Sequence, residues 1–257
     1  MNPSLPDVLG SKQSLPTKYV GVDGCPAGWF AIWCIVHPEG QPSEDESIGY
    51  AIFNDISDLM SVMNDARRIL IDIPIGLKVD APRQLEARLR KLLGPKRSSV
   101  FPVPVRSAVY AANYEEACQL NVKGVGKKLS KQSWNICGKI RQVDQYLIEQ
   151  DSARQILLES HPELAFQRLS GKALAHGKKT RAGIDERLEI LGYYSTGFSD
   201  LFSQILVATK RASLARDDIL DAMALLLSAI NCEQLPFEAE QGFDAIPIRM
   251  STFNHKN

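Results

Sequence analysis

Three apolar runs of this chain each carry aspartate at one end. Asp23 closes KYVGVDG, Asp72 closes RILIDIP, and Asp218 with Asp221 opens DDILDAMALLLSA. The first two runs read as buried strands and the third as a helix, with Ile219, Leu220, Met223, Leu226, Leu227 and Ile230 recurring on one face. Carboxylates so distant in sequence become useful only if the fold gathers the ends of these elements. Gathered, they make an oxygen-rich site for a hard divalent cation such as Mg²⁺ or Mn²⁺. That chemistry points to metal-assisted cleavage or transfer at phosphorus.

The order of elements narrows the fold. Residues 18–23, 29–36 and 47–53 read as three strands parted by GCPAG and HPEGQPSEDES, where Gly and Pro force reversals. A helix at about 55–66, capped by Asp55 or Ser57, leads to a strand at 68–73. This predicts an antiparallel meander continued by a crossover to a parallel strand. Residues 80–154 are mostly helical in pattern apart from GPKRSSVFPVPVR, and predict an inserted helical lobe before strand QILLES. Helices at 162–170, 184–192 and 217–231 follow, and FDAIPIRMSTF adds a last short strand. The expectation is one α/β domain over 17–257 behind a flexible polar arm, 1–16.

Thirty basic residues balance 30 acidic ones, so no global charge marks a nucleic-acid binder. Locally the balance breaks. From Ala117 to Val143 there is no acidic residue, while Lys123, Lys127, Lys128, Lys131, Lys139 and Arg141 are present. Five scattered cysteines without a CxxC pair fit reduced thiols and argue against structural zinc. The polar N-terminus lacks the apolar segment of a signal peptide, and no run suggests a membrane span. A cytoplasmic protein with no membrane partner is expected.

Each acidic position also has a structural alternative. Asp beside Gly is a common turn residue, and acidic groups at a helix start complement the macrodipole. Around them stand other candidates. Arg97, Ser98 and Ser99 are loop donors suited to phosphate oxygens, and Lys178 and Arg181 lie in a Lys/Gly-rich loop. Glu159 would add a metal ligand, and His161 a general base or a proton donor to the leaving oxygen.

The strings GVDGCPAGW, LIDIPIGL, GPKRSSVFPVPVR, ESHPELAF and DDILDA, in that order, resemble domain-of-unknown-function family 429. Its members are predicted nucleases of the ribonuclease H-like superfamily. The resemblance implies a ribonuclease H-like mixed five-stranded sheet with flanking helices. It puts Asp23 on the first strand, Asp72 at the end of the fourth, and Asp218 and Asp221 on the C-terminal helix. The last pair is similar to the Asp-x-x-Asp-Ala helix of Holliday-junction resolvases, and a homodimer would suit that comparison. The family's Arg-x-x-Asp stretch has Arg83 and Glu86 here, a departure that lengthens the acidic arm. A nuclease acting on DNA or RNA through an acidic two-metal site is the leading expectation. An ATP-dependent phosphotransferase or ATPase of the same superfamily is the runner-up. A non-catalytic module binding nucleic acid or nucleotide through residues 123–141 is the third.

Overall fold

The computed structural model describes residues 16–37 and 48–254. The expected arm at 1–16 falls almost wholly outside them, as does most of HPEGQPSEDES. Strands β1 (Thr17–Cys25), β2 (Gly28–Val36) and β3 (Gly49–Phe53) form the meander. Helix α1 (Ile56–Met63) crosses over to β4 (Arg68–Ile71). Asp55 caps α1, its side chain accepting the Asp58 N–H at 2.9 Å. The sheet runs β3-β2-β1-β4-β5, with β5 at Leu157–Glu159. β2 runs antiparallel to both β1 and β3, and β4 and β5 run parallel to β1.

Between β4 and β5 lie α2 (Leu85–Leu93), the short α3 (Arg106–Val109), α4 (Tyr114–Val125) and α5 (Lys131–Glu149). GPKRSS, expected as loop, forms a 3-10 turn over Gly94–Ser99. After β5 come α6 (Pro162–Ser170), α7 (Arg181–Tyr194), α8 (Gly197–Ala208) and α9 (Arg216–Ile230). Helix α7 begins earlier than 184 because Thr180 caps it, accepting the Gly183 N–H at 3.0 Å. The C-terminal segment does not join the main sheet. It makes two ribbons instead, β6 (Cys232–Gln234) with β9 (Ser251–Phe253), and β7 (Glu240–Gln241) with β8 (Pro247–Ile248).

Strand alternation assigns the two faces of the sheet. Val20, Val22, Trp29, Ala31, Ile69 and Ile71 pack in one apolar cluster with α1 and α5. Phe30, Ile32 and Leu70 point the other way, into a cluster with α6, α8 and α9. Helix α9 is buried nearly all round from Ile219 to Leu226, because sheet and helices enclose it. Its expected single apolar stripe is correspondingly broader, and Ile230, at the helix end, is 36% exposed.

Candidate acidic active site

The aspartates meet because of strand parity and one glycine. On β1, Gly21, Asp23 and Cys25 share the parity opposite to Val20 and Val22, so they face α9. On β4, Leu70 faces the same way, and Asp72 repeats its direction just past the strand end. Val22 and Ile71 are register partners, and the Asp72 N–H donates to the Val22 carbonyl at 3.1 Å. The two carboxylates therefore leave neighbouring parallel strands side by side. Gly21 lets α9 close on them: a Cβ there would stand 2.1 Å from the Ala222 carbonyl oxygen and 2.3 Å from the Leu226 nitrogen. The first turns of α9 then carry Asp218 and Asp221 to the same strand ends.

Asp23, Asp72 and Asp218 line a cavity of about 240 Å³, together with Ser99, His161 and Lys178. Asp23 and Asp221 are buried, at 6% and 2% exposure, while Asp72 and Asp218 are half-buried. Asp23 Oδ1 accepts the Gly24 N–H at 2.7 Å, and Asp218 Oδ2 accepts the Ala215 N–H at 3.0 Å. Burial, followed by repulsion from Asp72 and Asp221, holds the Asp23 carboxyl well above the usual range. Burial pushes Asp72 up to about 7 and Asp218 up to about 6. Asp221 is raised for the same reason, against the pull of Lys178. The site is thus short of positive charge.

Lys178 supplies part of it from the segment between α6 and α7. Its Nζ donates to Asp221 Oδ2 at 2.8 Å and stands 3.5 Å from Asp217 Oδ2. Burial opposes the ammonium, but Asp221, Asp23 and Asp72 together hold its pKa above the lysine range. Lys139 of α5 also lines the cavity; its Nζ donates to the Gly28 carbonyl and lies 4.6 Å from the centre of the Trp29 ring. Its aliphatic stem lies against Gly24, where a Cβ would come within 2.9 Å of Lys139 Cδ. Burial lowers the Lys139 pKa, partly countered by Cys25 and Asp23.

His161 is the N-cap residue of α6 and lines the cavity. Its Nδ1 is buried without a hydrogen-bond partner among the described residues. Burial lowers its pKa to about 4, against a contact with the Ser99 backbone, so the imidazole is neutral at neutral pH. Cys25 is buried with its thiol pushed up by burial, which keeps it protonated.

Other expected site residues stand at the edge of the cavity or outside it. Glu159 pairs in register with Ile71, so its side chain leaves the sheet on the face opposite to Asp72. Its Oε1 and Oε2 accept from Arg83 at 2.7 and 2.8 Å, and Oε2 also accepts the Ile75 N–H at 2.8 Å. Glu159 borders the cavity with both oxygens committed, which fits a structural brace better than a metal ligand. Arg83, 4% exposed, also pairs with Glu86 at 3.0 Å and is closed to substrate. Arg97 and Ser98 are exposed and outside the cavity lining, whereas Ser99 borders it. Arg181 is exposed, paired with Asp185 at 3.8 Å, and outside the lining. Lys139 and Asp217 belong to the site, and sequence marked them only as one lysine of an acid-free stretch and a helix start.

The donor set is all carboxylate oxygen, the chemistry of a hard divalent cation. Among the described residues, no group of three or more His, Cys, Asp or Glu side chains is arranged to hold an ion. The Lys178 ammonium stands among the carboxylates as an internal cation. No helix among those residues is long and apolar enough to cross a membrane.

No curated protein and no solved structure matches the chain. A family model described as "protein of unknown function (DUF429)" matches residues 21–240, a span holding Asp23, Asp72, Asp218 and Asp221, and the chain belongs to that family.

Proposed function

We propose that this protein is a divalent-metal-dependent nuclease built on a ribonuclease H-like sheet. One observation carries it: Asp23, Asp72 and Asp218, from three separate elements, open on a single cavity, with the buried Asp221 on the same helix as Asp218. Support also comes from the sheet, antiparallel and then parallel, with aspartates on the first strand, past the fourth and on the last helix. That is the arrangement the family resemblance implies. Helices α2–α5 would be the insertion between its fourth and fifth strands.

Asp23, Asp72, Asp218 and Asp221 would hold Mg²⁺ or Mn²⁺. Such an ion supplies a nucleophile from water at neutral pH and stabilises charge on the leaving oxygen. The chain's own groups do the rest. Neutral His161, on the cavity wall, would take a proton from the attacking water. Lys139 and Lys178, both in the cavity lining, would meet the non-bridging phosphate oxygens. Lys178 also borders a second cleft of about 230 Å³ where Lys179, Arg211 and Arg216 outnumber Asp217, a net basic path suited to a continuing phosphate backbone.

The test is cleavage of end-labelled single-stranded, duplex, hybrid and branched DNA and RNA with Mn²⁺ or Mg²⁺. Metal-dependent cleavage of any one supports the proposal and names its substrate class. Failure across the panel, with saturable Mg-ATP binding instead, would favour phosphotransfer.

A further inference from the structure

We propose that the Lys178 ammonium occupies a cation position inside the acidic site and competes there with a divalent ion for Asp221. The inference rests on the metal reading above and adds to it the residue that sets metal affinity.

Asp221 is 2% exposed, and Lys178 is the partner that its carboxylate has among the described residues. The 2.8 Å contact to Asp221 and the 3.5 Å approach to Asp217 put one positive charge between two carboxylates of the same helix. A divalent ion taking Asp221 Oδ2 as a ligand needs the space that the ammonium fills.

Lys178 is also built to leave. Its side chain is 41% exposed, on a long stem with a strongly hydrated head, and it borders both the acidic cavity and the basic cleft. Arg187, by contrast, is locked: it is 1% exposed, donates to Glu163 at 2.8 Å and to the Gly183 carbonyl at 3.0 Å. Of these two cations on the α7 side of the site, Lys178 is the displaceable one.

The experiment is a Mn²⁺ titration of the full chain, read by the electron paramagnetic resonance of free Mn²⁺ at fixed pH and salt. Wild type is compared with Lys178→Met, Lys178→Gln and the charge control Arg181→Met, each checked for fold by circular dichroism. Lys178→Met and Lys178→Gln are expected to bind Mn²⁺ about tenfold or more tightly than wild type, the scale for removing a charge at contact distance. Arg181→Met, which removes an equal charge from an exposed side chain outside both clefts, is expected to stay within about threefold. Equal or weaker binding by the Lys178 variants, relative to Arg181→Met, would overturn the proposal while leaving the metal reading in place. No Mn²⁺ binding by any of the four proteins would overturn both.

Discussion

The Asp72 N–H donates to the Val22 carbonyl at 3.1 Å, and that bond sets Asp72 beside Asp23 at the ends of two parallel strands. Two carboxylates placed so repel each other unless a proton or a cation intervenes. The site is therefore stabilised by whatever neutralises it.

Asp72→Asn is accordingly expected to abolish metal-dependent cleavage and yet stabilise the metal-free fold. Burial raises the Asp72 carboxyl to about 7. Discounted for its partial exposure to water, removing the charge is worth about 1–2 kcal/mol at pH 8. Urea denaturation of both proteins without divalent ions measures it, and a less stable variant would contradict the electrostatic account.

The same shift fixes the pH dependence. Asp72 and Asp218 are raised to about 7 and about 6, so between about pH 4 and 7 the folded chain binds more protons than the unfolded one. Stability from these groups is full at low pH and is lost as pH rises through 6 and 7. Without metal, the unfolding temperature should be higher near pH 5.5 than near pH 8, and Mn²⁺ should raise it more at the higher pH. Thermal scans at both pH values, with and without Mn²⁺, decide this. A larger Mn²⁺ effect at the acid end would be the wrong sign.

Arg83 is expected to matter for folding rather than for substrate. Arg83→Met would leave Glu159, 5% exposed, as a buried charge without its partner. Breaking such a pair costs about 3–5 kcal/mol. Combining it with Glu159→Gln should recover most of the loss. A variant that lost activity at unchanged stability would return Arg83 to a substrate role.

Gly21→Ala tests the approach of α9 to β1. The added methyl meets backbone atoms of Ala222 and Leu226, which cannot swing aside as a side chain would. Overpacking of this kind costs about 1–3 kcal/mol or more. Moving α9 also moves Asp218 and Asp221, so the surviving folded protein should bind Mn²⁺ more weakly. Wild-type Mn²⁺ affinity in this variant would show that the glycine does not set the site.

Much of this was legible in the chain. Asp23, Asp72, Asp218 and Asp221 stand at the ends of apolar runs, and such ends gather at one rim when the runs share a core. The Phe198, Leu201, Phe202, Ile205 and Leu206 spacing marks α8 as clearly as any helix here, although the expected elements omit it. The pairing of Glu159 with Arg83 was not legible, for a different reason. Which face a strand residue takes depends on pairing register, and the pairing of Glu159 with Ile71 exists only in three dimensions. Lys178 and Lys139 reach the site from the segment before α7 and from α5, and sequence records their charge without their direction.

The most direct test of the account is the rate of Mn²⁺-dependent cleavage by wild type and by Asp23→Asn, on whichever substrate the panel reveals. The account predicts loss of at least about a hundredfold, the scale at which removing one preorganised electrostatic group acts, with the fold retained. Cleavage by a folded Asp23→Asn at the wild-type rate would contradict it.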